Sequence, residues 1–162
     1  SQTSSRGGGM SVTARLAELG IVLPPPAVPQ GSYLPAVRAG SFVYTSGQVP
    51  MVDGKVPVTG IVGTKAGQVT PGQATELARQ CALNALTAIT SVVSLDEVRQ
   101  VVKVVGFVAS DPDFTGHPGV INGASDLLAE VFGDAGRHAR SAVGVAALPL
   151  GSPVEVELIV EV

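Results

Sequence analysis

The stretch His138–Val162, HARSAVGVAALPLGSPVEVELIVEV, carries two β-strand patterns joined by a turn. In the second, Val154, Val156, Leu158, Val160 and Val162 alternate with Glu155, Glu157 and Glu161, and Ile159 is the exception. A period of two with one apolar side is the pattern of a half-buried strand. In the first, Val143 and Val145 share a face, which leaves Arg140, Ala142 and Gly144 on the other. If both strands turn their apolar faces to one core, Arg140 and Glu155 look out of the same side of the sheet. A guanidinium and a carboxylate over small residues form a pocket floor suited to an anionic substrate and a water. In a simple hairpin closed around Gly151 the two would be offset by about five positions, roughly 17 Å along the strand. A ligand, a wider loop or an adjacent subunit then has to bring them together.

Upstream, Val98–Ala109 is apolar on both faces, with Val102, Val104 and Val108 on one and Val101, Val105 and Phe107 on the other. A strand covered on both sides is central, and a chain with only two long helical patterns can cover one face with helices. Another subunit is the simplest cover for the second. The first long helix starts at Thr70-Pro71-Gly72-Gln73, where Thr70 caps, Pro71 suits the first turn and Gln73 stands at the capping-box position. Its apolar face (Ala74, Leu77, Ala78, Cys81, Ala85, Ala88, Ile89, Val92) predicts a helix to about Val93 lying close to a sheet. The second opens at Pro118, carries Val120, Ile121, Ala124, Leu127, Leu128 and Val131, and stops at Gly133.

Val37–Val43 reads as a hairpin turning at Gly40, and Gln48–Ile61 as turns with one further short strand. Val12–Leu19 is a short helix stopped by Gly20, followed by an extended connector forced by Pro24, Pro25, Pro26 and Pro29. Ser1–Gly9 is polar and glycine-rich, an expression remnant or a disordered tail. The remainder, residues 10–162, is one α/β domain of order β–β–(β)–α–β–α–β–β with helices on one face.

At 162 residues the chain can bury a core of its own. Hydrophobic residues make up 45% and charged ones 14%, so little polar material is left to cover a monomer, which argues for an oligomer. A net charge of −3 and no basic stripe argue against nucleic acid. One cysteine, Cys81, excludes an intrachain disulfide, and His117 and His138 alone make a metal site improbable. No GxGxxG follows a strand and no phosphate loop is present, so no cofactor is expected. No apolar run reaches the roughly 18 residues of a membrane span, and no signal-peptide core is evident, so the expected compartment is the cytoplasm.

Arg140-Ser141-Ala142-Val143, Leu148-Pro149 and Val154-Glu155-Val156, preceded by Gly31-Ser32-Tyr33 and Tyr44-Thr45-Ser46-Gly47-Gln48-Val49-Pro50, form a set in fixed order. From about Gln30 to Val162 the chain thereby resembles the family variously called RidA, YjgF, YER057c or UK114, whose members include enamine/imine deaminases. The resemblance implies a chorismate-mutase-like sandwich, a mixed β-sheet with two helices on one face. It also implies a homotrimer with a central β-barrel and sites in the clefts between subunits. The opening helix and proline linker lie outside that core and mark a branch of the family. By the same resemblance Arg140 binds a substrate carboxylate and Glu155 positions water for attack on an imine carbon. Tyr33, Ser46 and the backbone of Gly47 line the pocket, and Asn122 matches an asparagine of the second helix. Two positions depart: His138 stands where a small residue or proline is usual, and Ala142 where several members carry cysteine. Thiol chemistry at the site is therefore not expected, and Cys81 reads as core.

Each of these residues also has a plainer reading. Arg140 can be a structural ion-pair partner, and Glu155 part of a solvated face with Glu157 and Glu161. Tyr33 can be a satisfied aromatic, Ser46 a turn residue, and His138 a surface or interface histidine rather than a donor in the pocket. His117 suits a helix start. Taken together, the chain reads as a cofactor-free hydrolase converting small 2-imino or enamine acids to 2-oxo acids and ammonia. The alternative is a trimeric carboxylate-binding or regulatory module without catalysis. RNA cleavage fits the acidic balance poorly.

Overall fold

The computed structural model describes residues 9–28 and 31–162, so the reading of the first eight residues as a tail lies outside it, as does Pro29. Five strands form one mixed sheet in the order β1-β2-β5-β3-β4: β1 (Ala36–Ala39), β2 (Phe42–Thr45), β3 (Gln100–Ala109), β4 (Ala139–Val145) and β5 (Val154–Glu161). β4 runs parallel to β3, and the other neighbouring pairs are antiparallel. The helices α2 (Pro71–Ile89) and α3 (His117–Phe132) pack on each other and on one face of this sheet, while α1 (Val12–Glu18) closes against α3. The expected α/β sandwich with helices on one side is present.

Thr70 Oγ1 accepts from the Gln73 backbone N–H, and Gln73 Oε1 accepts from that of Thr70, completing the capping box. α2 stops at Ile89, short of the expected Val93. There the hydroxyls of Thr90 and Ser91 donate to the carbonyls of Thr87 and Ala88, at 2.5 and 2.7 Å, and compete with continuation of the helix. Small residues let the layers approach: a Cβ on Gly123 of α3 would sit 2.0 Å from the Thr75 carbonyl oxygen of α2. Between Gln48 and Ile61 the short strand expected from the sequence is replaced by isolated bridges, Gln48 with Val156 and Val52 with Lys55. Asp53 and Gly54, both with positive φ, turn the chain back too tightly for a ladder.

Two readings of strand geometry are corrected. β4 and β5 are not a hairpin, because β3 lies between them and pairs with both. The connection Ala146–Pro153 passes over the end of β3, where the Ala109 N–H donates to the Pro153 carbonyl and the Ser110 N–H to that of Val145. In β3 a register shift between Val101 and Lys103 puts Val101, not Val102, on the helix side with Val104 and Val108. The opposite face has no cover among the described residues. Val37, Tyr44 and Val143 are 44–49% exposed on it, and Val105 and Phe107 of β3 are half-buried.

Candidate functional site

Arg140 sits beside Val104 in the β3–β4 register and shares its face, so its side chain turns toward α3. Its Nη1 donates to Asn122 Oδ1 at 2.8 Å and to Ser125 Oγ at 3.2 Å, and its Nη2 donates to the Pro118 carbonyl at 3.2 Å. All three acceptors are neutral, and no carboxylate pairs with this guanidinium among the described residues. A cation oriented by dipoles and left without a counter-ion among the described residues has the chemistry to receive an anion. The plainer reading of Arg140 as an ion-pair partner thus finds no partner among the described residues. Ala142 and Gly144 continue the same face. The side chain of His117 packs against Gly144, where its Nε2 would lie 2.5 Å from an added Cβ, and its ring meets Phe114 edge-on.

His138 precedes Arg140 by two residues. Its Nε2 lies 2.8 Å from Ser125 Oγ and its Nδ1 2.6 Å from the Gly136 carbonyl. Both ring nitrogens are therefore engaged within the chain. Ser125 was not among the residues singled out from the sequence. Its position three residues after Asn122, one helical turn along the face that meets β4, was the available signal.

Glu155 pairs with Phe107 and lies on the uncovered face. A correction follows: Arg140 and Glu155 do not look out of the same side. Their levels on β3, Val104 and Phe107, differ by three residues, so they stand roughly 10 Å apart along the strands and roughly 10 Å across two strand spacings. The premise that both strands aim their valines at one core fails because α3 offers Arg140 polar partners, while Val143 and Val145 join the open face.

Around Glu155 a second group assembles. The Gln48–Val156 bridge carries Gly47 onto its carboxylate, so closely that an added Cβ would be 2.7 Å from Oε2. No hydrogen-bond donor among the described residues reaches that carboxylate. Burial, and then the charge of Glu157, raise its pKa above the ordinary carboxylate value. Ser46 donates its hydroxyl to the Leu34 carbonyl at 2.6 Å and its N–H to that of Pro35, which ties Tyr33 and its neighbours to the start of this loop. Tyr33 and Gly47 line a cavity of about 740 Å³ roofed by the proline connector, held where Thr87 donates to the Pro24 carbonyl. Cys81 is fully buried in the core, and burial, aided by the charge of Glu155, pushes its thiol pKa well up, which disfavours the thiolate. No group of three or more metal-ligating side chains occurs among the described residues.

The predicted residues thus fall into two groups, each a candidate half-site. Arg140, Asn122 and Ala142 meet at α3 and β4, with His138 behind Ser125. Tyr33, Ser46, Gly47 and Glu155 meet at the β2–β5 end. One chain does not join them.

Residues 13–162 match the family model described as "YjgF/chorismate_mutase-like, putative endoribonuclease". The chain belongs to the YjgF/chorismate-mutase-like family. Among YjgF-like relatives, protein TCP17 of Trypanosoma cruzi is 46% identical over 152 residues, 93% of each chain. A protein named 2-iminobutanoate/2-iminopropanoate deaminase, from Dermatophagoides farinae, is 31% identical over 86% of this chain and 94% of its own. Mitochondrial protein MMF1 of Saccharomyces cerevisiae is 35% identical over 85% of this chain and 78% of its own. A Shewanella oneidensis crystal structure titled as an endoribonuclease superposes with a TM-score of 0.88 at 32% identity, covering 94% of this chain and 100% of that one. The YjgF-like fold therefore extends through α1 and the proline connector. No helix among the described residues is long and apolar enough to cross a membrane.

Proposed function

We propose that the protein is a hydrolytic deaminase of small 2-imino or enamine acids. The observation that carries this reading is the unpaired, pre-oriented guanidinium of Arg140. It grips the substrate carboxylate, with Asn122 holding its orientation and Ala142 leaving room below. In a homotrimer whose uncovered sheet faces close into a barrel, the Arg140 half-site of one subunit faces the Glu155 half-site of its neighbour. The exposed Val37, Tyr44 and Val143 support that assembly.

Glu155, raised toward neutrality by burial, takes a proton from water as the oxygen attacks the imine carbon. Glu155 passes that proton to the imine nitrogen, giving a carbinolamine, and then relays the carbinolamine hydroxyl proton to the amino group, so that the C–N bond breaks, ammonia leaves and a 2-oxo acid remains. Tyr33, Ser46 and the Gly47 backbone shape the wall beside the reacting carbon. Positioning and electrostatics supply the rate, because the imine is already electrophilic. The deaminase relative supports this reaction class. The cytoplasmic setting expected from the sequence stays with the proposal, and a mitochondrial one, which the name of the yeast relative brings in, suits a single buried cysteine equally.

The test is ammonia release from imino acids generated in situ. Arg140→Ala should lower kcat/KM by roughly 10- to 100-fold, the worth of a charge-assisted pair. Rates equal to buffer for the wild type would end the reading. A second reading, a carboxylate-binding module, is favoured by the Arg140 half-site being complete within one chain. Thermal stabilisation by carboxylates without turnover would select it.

A further inference from the structure

The three neutral contacts of Arg140 are not equivalent. Asn122 and the Pro118 carbonyl end there, whereas Ser125 continues. A guanidinium only donates, so Ser125 Oγ accepts from Arg140 Nη1 at 3.2 Å. A carbonyl only accepts, so His138 Nδ1 must carry the hydrogen that meets Gly136 O at 2.6 Å. In the neutral ring this leaves Nε2 as an acceptor, so Ser125 Oγ, 2.8 Å away, is assigned as the donor to it. The chain Gly136 O, His138, Ser125, Arg140 has a donor and an acceptor matched at every step. It anchors a long side chain on an edge strand to a buried backbone carbonyl, since Gly136 is itself buried.

We infer that Ser125 and His138 are positioning residues for the anion site, His138 orienting the Ser125 hydroxyl and Ser125 orienting Arg140. This rests on the reading of Arg140 as the carboxylate anchor. His138 then acts one contact behind the pocket, and only through Ser125. Chains of hydrogen bonds of this kind fix the geometry of the terminal group, and their members couple when removed together.

Calorimetric binding of 2-oxobutanoate, with turnover of 2-iminobutanoate alongside, tests this on the full chain. Ser125→Ala and His138→Ala should each weaken binding by about 3- to 10-fold and raise KM with kcat little changed. The double variant should bind no more weakly than Ser125→Ala, and Ser125→Thr, which keeps the hydroxyl, should recover most of the loss. His138→Asn, which retains a polar amide, serves where the alanine variant folds poorly. Binding by Ser125→Ala equal to wild type overturns the inference while leaving the Arg140 reading intact. So do additive losses in the double variant, or a threonine variant as weak as alanine. If Arg140→Ala itself binds 2-oxobutanoate as tightly as wild type, the anion-site reading fails and takes this inference with it.

Discussion

Gly47 lies against the Glu155 carboxylate with no room for a side chain: a Cβ there would approach Oε2 to 2.7 Å and Cδ to 2.8 Å. The loop backbone, through the Gln48–Val156 bridge, therefore sets where the carboxylate stands. Gly47→Ala should displace Glu155 and lower kcat by roughly 10-fold or more, a cost typical of small misplacements of a reacting group. Steady-state kinetics beside a melting curve checks it, and unchanged kcat would separate Glu155 from the chemistry.

Glu155 also predicts a pH effect. Its folded-state pKa lies above the ordinary carboxylate value of 4.5 because burial disfavours the charge. A raised carboxylate binds its proton more tightly in the folded state, so its ionisation costs stability as pH rises above about 4.5. Glu155→Gln should therefore raise Tm modestly near pH 7, with the gain fading at acid pH, while kcat falls by roughly 10²-fold. Melting curves across pH and ammonia release measure the two effects separately.

Much of this was legible beforehand. The capping box at Thr70, the glycine stop at Gly133 and the hairpin at Gly40 are local, and each element formed where its own residues dictate. The family motifs singled out Arg140 and Asn122 separately, and their hydrogen bond emerged only from the structure. What could not be read was the insertion of β3 between β4 and β5, because alternation reports which residues share a face of a strand but not which strand lies alongside. Once that neighbour was misplaced, the faces of Arg140 and Glu155 followed it. Ser125 escaped because a serine on a helix carries no distinctive pattern until its partners are known.

The contact of α2 with α3 at Gly123 gives a stability test. A methyl group there would be 2.0 Å from the Thr75 carbonyl oxygen, which is backbone and cannot swing aside. Gly123→Ala should cost about 1–3 kcal/mol despite the better helix propensity of alanine. Denaturant unfolding measures it, and a stabilised variant would contradict the helix spacing described above.

Asp111 holds the loop before α2 to the end of β3. It accepts from the Asp113 N–H at 2.9 Å and from Gln68 Nε2 at 2.8 Å, and it pairs with Lys65 at 2.9 Å. The Asp113 N–H, then Gln68 and Lys65, lower its pKa to about 2. A depressed carboxylate contributes stability above its ordinary value of 3.8, and that contribution is lost as pH falls toward about 2. Asp111→Asn should melt below wild type at pH 7, and the gap should close in acid. A constant gap would assign the loss to shape rather than charge.

Placing β5 between β2 and β3 has a bearing on how the molecule comes into being. The element that joins the two parts of the sheet is later in sequence than everything it joins. Until Val154–Glu161 leaves the ribosome, the β1–β2 ribbon and the β3–α3–β4 unit have no ladder linking them, and each presents an unsatisfied strand edge. Chains that lack Val154–Glu161 should thus be open to chaperones and proteases in a way that chains containing it are not.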